Sequence, residues 1–215
     1  MPALKGAFIS LGAGLLGALP NIIVFQFNPD RVSRTPTLPR PPGQEAGVGG
    51  RDARQQPGRP GEGISFSLRL DATDQLAAAN PIAAASGILP TLSALELLMT
   101  PASSLSIDLF GLSGGDAPYQ LPPERLPTVL FFWGPFRILP VAMTSLSIEE
   151  TEYDQLLNPL RAQVSVSLQV LTPSQLSGDD LARGAYDYSQ GVKEVMAALN
   201  LANAAGLGVS LPLPI

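Results

Sequence analysis

A chain of 215 residues with no histidine and no cysteine cannot build a disulfide framework, a thiolate nucleophile, a Ser-His-Asp triad or a His-ligated zinc site. Its net charge of -5 argues against nucleic acid as the main partner, because phosphate neutralisation needs clustered Lys and Arg. The length suits one substantial domain with an appendage, and only 14% charged residues beside 22 prolines and 21 glycines leaves weakly polar surfaces of the kind that neighbours in an assembly cover.

Lys5 precedes an apolar stretch, Gly6 to Leu19, that is shorter than the ~20 residues a membrane helix needs, and one lysine makes a thin signal-peptide n-region. The expected compartment is the cytoplasm. Lys5 to Leu11 and Asn21 to Asn28 read as two strands of a hairpin with a long connection. That connection holds Gly12-Ala-Gly14-Leu-Leu-Gly17, a nominal dinucleotide fingerprint. Its context is wrong, since Pro20 and a second strand follow where a phosphate-cradling helix should open. Thr35 to Gly63 is rich in Pro, Gly, Arg and Gln and reads as a long mobile loop, or as one ordered only by a partner. Arginines 31, 34, 40, 51, 54 and 59 make this region basic without interleaved aromatics, so an acidic protein surface is a better partner than nucleic acid. Arg51, Arg54 and Arg59 are the candidate contacts.

Ile64 to Leu70 alternates apolar and polar residues strictly, as does Val164 to Val170 a hundred residues later. Both are half-buried strands: Ile64, Phe66, Leu68 and Leu70 face a core, as do Val164, Val166, Leu168 and Val170. Ser65, Ser67, Arg69, Ser165, Ser167 and Gln169 then face solvent or a lumen. Between the twins, Asp71 or Thr73 can cap a short helix, and the leucines from Leu92 to Leu98 predict another ending at Pro101. Residues 100 to 127 lapse into Ser, Gly and Pro. Thr128 to Trp133 and Phe136 to Ile148 predict a hairpin turned by Gly134-Pro135, with Pro140 marking an edge position or a bulge. Glu149, Glu150, Glu152 and Asp154 read as a solvated acidic turn rather than a catalytic pair, since nothing around them suggests the buried pocket that raises a carboxyl pKa. From Ser174 apolar residues recur at helical spacing, weakened by Gly178, Gly184 and Gly191 and ended by Gly206-Leu-Gly208. This helical arm, 174–215, follows a mainly β domain, 1–173.

Several short strings carry a resemblance: Lys5-Gly6 with Ile9-Ser10, Phe25-Gln-Phe-Asn-Pro29, Gly58-Arg-Pro60, Leu70-Asp-Ala-Thr-Asp74, Leu92 to Leu98, Val129 to Gly134, Arg137-Ile-Leu-Pro140 and Asn158-Pro-Leu-Arg161 running into Val164 to Thr172. In this order they resemble the N-terminal domain of contractile injection system tube proteins, a baseplate tube-adaptor family related to phage tail proteins, over residues 5 to 173. The resemblance implies a phage tail-tube-like two-sheet β-barrel or sandwich with one or two short helices, six copies of which form a ring around a channel. It further implies spike, inner-tube and baseplate proteins as partners, and incorporation into an injection particle. Many members of the family end in a LysM module; residues 174–215 are too short and too helical for one.

The expected function is therefore a structural, non-catalytic ring subunit with no cofactor and no metal, joining spike to inner tube and lining an effector channel. The competing expectation is a monomeric β-rich binding module that grips an acidic protein through its Arg-rich loop.

Overall fold

A computed structural model describes residues 4–11, 21–38, 58–100 and 126–206. Seven strands, β1 (Ala7–Leu11), β2 (Asn21–Val24), β3 (Val32–Thr37), β4 (Gly61–Asp71), β5 (Thr128–Phe132), β6 (Ile138–Tyr153) and β7 (Pro159–Val170), form one antiparallel sheet in the order β2-β1-β5-β6-β7-β4-β3. Helices α1 (Thr73–Ala77), α2 (Pro81–Ser86) and α3 (Leu89–Leu97) lie between β4 and β5, and α4 (Asp180–Gly206) follows β7. The protein is thus mainly β, as its alternation predicts. It holds a single sheet that does not close into a barrel, where two sheets closed into a barrel or sandwich are the sequence expectation.

The sheet curls onto itself. Phe8 on β1 and Phe66 on β4 are four strand steps apart, roughly 19 Å in a flat sheet, yet their ring centroids are 6.2 Å apart. Phe131 on β5 stacks on Phe66 at 5.4 Å, and Phe25 reaches both. The dry faces of β4 and β7 meet this aromatic cluster together with Leu92, Leu95 and Leu98 of the α3 segment. Among the described residues the two outer strands, β2 and β3, have no partner on their far sides, and one continuous ladder wraps the core.

Other expectations are corrected. The loop from Thr35 to Gly63 loses both ends to strands: β3 pairs with β4 from Val32 opposite Phe66 to Thr37 opposite Gly61. β3 shows no alternation because it is an edge strand, five of whose six residues are exposed. The acidic segment 149–153 is the continuation of β6, and the turn is Asp154 to Asn158. Pro140 sits in an internal strand and the sheet irregularity lies at Met143/Ser145. Pro140 is tolerated because it lies just past the last β6–β7 pair, Val141 with Val170, where its carbonyl accepts from the Leu171 N–H at 2.9 Å. Ala72, not Asp71 or Thr73, occupies the α1 N-cap, although Asp71 Oδ1 accepts from the Thr73 N–H at 2.8 Å. Three short helices precede β5 where one or two are expected. The α2 helix, which no apolar period announces, is capped by Asn80 through the N–H groups of Ile82 and Ala83.

The hairpin of β1 and β2 is antiparallel, so the chain lacks there the parallel crossover that a dinucleotide fold requires. The Gly12 to Gly17 string lies outside the described residues, as do Arg51, Arg54 and the Ser/Gly/Pro stretch 101–125. Gly184 and Gly191 do not interrupt α4, a single 27-residue helix packed against β6 and β5. Its first half is anchored by Ala182, Tyr186 and Ser189, which are buried. Ser189 Oγ donates to the Ile138 carbonyl, and the Tyr188 hydroxyl donates to the Pro135 carbonyl at 2.9 Å.

Candidate functional site

The twin strands are neighbours. β4 and β7 pair in register, Ile64 with Leu168, Phe66 with Val166 and Leu68 with Val164, so their dry faces coincide and their polar faces form one surface. The pairing extends that surface over four strands. Ser33 lies opposite Ser65, Ser65 opposite Ser167, and Ser167 opposite Ser145, which places four serines in one cross-strand row. Ser67, Ser165 and Ser147 make the next row, with the Ser67 and Ser165 hydroxyl oxygens 3.3 Å apart. Arg69, Gln163 and Glu149 make the third. Ser65, Ser67, Arg69 and Ser165 are exposed, and Ser167 and Gln169 are half-buried; Gln169 donates to the Glu62 carbonyl at 3.3 Å. All six residues read from the sequence as wet therefore share one face. Sequence alternation missed Ser33, Ser145 and Ser147, because β3 carries a proline and one apolar residue and because the sheet irregularity shifts the phase of β6.

An open groove at one end of this face is lined by Lys5, Gln26, Asn28, Asp30, Ser67 and Arg69. Beside it, residues of the Lys5-Gly6, Phe25 to Pro29 and Leu70 to Asp74 strings join Arg161 in one hydrogen-bonded network. Asn28 Oδ1 accepts from the Gly6 N–H at 2.9 Å and its Nδ2 donates to the Leu4 carbonyl at 2.9 Å, while Lys5 Nζ donates to the Gln26 carbonyl at 2.9 Å. Gln26 behaves as a surrogate strand residue: its amide donates to the Asp71 carbonyl at 2.6 Å and accepts from the Asp71 N–H at 2.9 Å. It thereby satisfies the free end of β4 beyond the reach of β3. Arg161 donates to Asp71 at 2.8 Å and to Glu152 at 2.6 Å. Burial pushes the Asp71 carboxyl up, but hydrogen bonds from Thr73 and the Arg161 guanidinium hold it below its ordinary value. Gly6 is required by close approach, since a Cβ there would lie 2.7 Å from the Phe25 ring. Lys5-Gly6, Phe25 to Pro29, Leu70 to Asp74 and Asn158 to Arg161 thus perform structural work, holding the curled sheet together where its two ends come closest.

The opposite end is held by charge. Glu62 is buried, and its carboxylate accepts from Arg34 on β3 and from Lys193 on α4 at 3.2 Å. Burial pushes this carboxyl up, yet the Arg34 hydrogen bond and Lys193 outweigh that and hold it below its ordinary value. Arg137 lies close enough to feel both Glu62 and Arg34, and burial together with Arg34 lowers its pKa. Arg59, read from the sequence as a partner contact, is engaged within the chain: it donates to Asp187 at 3.2 Å and sits 5.3 Å from the centre of the Tyr186 ring.

The acidic residues 149–154 do not converge on a pocket. Glu149 and Glu150 occupy opposite faces of β6, Glu152 is taken by Arg161, and the hydrogen bond from Asn158 holds Asp154 below its ordinary value. Among the described residues no group of three or more carboxylates forms a potential metal site, and no helix is long and apolar enough to cross a membrane. No family model matches this chain, and no curated protein matches it.

Proposed function

We propose that this chain is a structural subunit of a contractile, phage-tail-like injection system, a tail-tube-like baseplate adaptor. Six copies would form a ring between spike and inner tube with the serine face toward the channel. The observation that carries the reading is the in-register run of Ser33, Ser65, Ser167 and Ser145 backed by Ser67, Ser165 and Ser147. Short hydroxyl side chains present a wet, nearly uncharged wall with few groups to grip a passing protein, which is the demand a conduit makes. Among the described residues the outer strands β2 and β3 have no further partner, which favours the same reading, because free ladder groups are satisfied when subunits pack side by side. A soluble binding module would not need so extensive a bland face, and one of the three loop arginines assigned to such a module is occupied by Asp187 and Tyr186.

Cryo-electron microscopy of particles purified through a tag on this chain tests the proposal. Density for a six-copy ring between spike and tube is expected; a monomer that never enters particles would refute it. Replacing Arg51, Arg54 and Arg59 with alanine should leave the ring intact, whereas the binding-module reading requires loss of partner binding.

A further inference from the structure

The hairpin of β6 and β7 ends in Asp154-Gln-Leu-Leu-Asn158, whose two leucines are 79% and 78% exposed. This tip is firmly built. Asp154 Oδ1 accepts from the N–H groups of Leu156 and Asn158 at 2.8 Å each, Asn158 Nδ2 donates to Asp154 Oδ2 at 2.8 Å, and the Asp154 N–H donates to the Asn158 carbonyl at 3.0 Å. Leu157 is held at φ 63, a region bulky residues rarely occupy. Tyr153 on β6, next to the tip in the chain, is 50% exposed, and Asn158 ties α2 to the tip through the Ala85 carbonyl. Glu150 and Glu152 on β6 and Asp154 at the tip make the surround acidic, and Arg161 is already engaged by Asp71 and Glu152.

The other end of the same hairpin is its complement. There two cations, Arg34 and Lys193, pair with one carboxylate, Glu62, and a third, Arg137, lies near enough to feel its charge. Among the described residues no carboxylate forms an ion pair with Arg137. Beyond Lys193 the α4 helix buries nothing through Asn203, and Val195, Met196, Leu199 and Leu201 are exposed. The ends of the 16-residue β6 are separated by roughly 50 Å of strand rise, so the tip cannot cover α4 of its own copy.

We infer that the two ends bind each other between copies: the Leu156–Leu157 tip of one copy seats on the face of α4 that carries Val195, Met196 and Leu199 in the next, with the acidic surround of the tip against Arg137 and Arg34. A second copy is the occupant because the chain itself carries both an acid-rimmed apolar knob and a base-flanked apolar helix face. The two surfaces differ, so the contact is heterologous and either closes into a ring or continues as a stack. It does not depend on which way the serine face points.

The test is sedimentation of three proteins: the native chain, the tip variant Leu156→Asp/Leu157→Asp and the arm variant Val195→Asp/Leu199→Asp. Concentration-dependent association of the native chain is expected, reduced in each variant alone. An equimolar mixture should yield a species of twice the mass of either variant and nothing larger, since each retains one intact half of the contact. Variants that associate like the native chain, or a mixture with no new species, would overturn the inference. Rings that survive in both variants and do not double on mixing would remove this contact and leave the ring proposal standing. Leu157→Gly guards against misfolding, because glycine accepts φ 63 without strain. It should melt no lower than the native chain while association weakens about tenfold; undiminished association would contradict the contact.

Discussion

The β4–β7 pair and the α4 helix are equally apolar in pattern and end in opposite situations. Every inward residue of the pair, from Ile64 to Leu70 and Val164 to Val170, is buried within the chain. α4 buries Ala182, Tyr186 and Ser189 in its first half and exposes Val195, Met196, Leu199 and Leu201 in its second. The pair completes itself because a period of two meets a matching neighbour in register. Among the described residues the helix continues past its last buried residue, Ser189, and in the contact proposed above a second copy covers its exposed apolar residues.

Breaking the first region should therefore cost stability and breaking the second should not. Phe66→Ala removes the ring shared by Phe8, Phe25 and Phe131 and should lower unfolding free energy by about 3–5 kcal/mol in denaturant melts. Gly87→Ala comes next, because its φ is 57° and a Cβ would lie 2.1 Å from the Pro159 carbonyl oxygen. A loss of about 2–3 kcal/mol is expected from strain and backbone displacement. Glu62→Gln leaves Arg34 and Lys193 without their carboxylate; because both are partly exposed, the loss should be about 1–2 kcal/mol. Val195→Ser and Leu199→Ser should each stay within about 0.5 kcal/mol of the native chain, and a larger loss would erase the distinction between the regions.

Acid sharpens the same contrast. Glu62, Asp71 and Asp154 all have folded pKa values below their ordinary ones. Their stabilising contribution is complete above the unfolded pKa values and is lost as pH falls through the folded ones, so destabilisation should set in below about pH 4. Thermal melts of the native chain from pH 7 to pH 3 check this, and Glu62→Gln should flatten part of the slope.

The twin strands, the β1–β2 and β5–β6 hairpins and the helical arm were legible because each shows its period within a few residues. β3 was not, since a strand with Arg34, Thr35 and Pro36 reads as a loop until a neighbour supplies its ladder. The length of β6 was hidden because Glu149 to Tyr153 is exposed strand, whose composition matches a turn. The serine face was legible on two strands and invisible as a four-strand surface, because registry is a property of pairing. The Leu156–Leu157 tip gave no periodic signal at all; its exposure follows from the Asp154–Asn158 hydrogen bonds.

The most direct test of the conduit reading uses the absence of cysteine from the chain. Ser65→Cys and, as an outer control, Asp74→Cys are each labelled in the assembled state with thiol reagents of increasing size. The account predicts that small reagents reach both, while large polymer-linked reagents reach Asp74→Cys and reach Ser65→Cys only after disassembly. Equal labelling of Ser65→Cys by every size in the assembled state would contradict it.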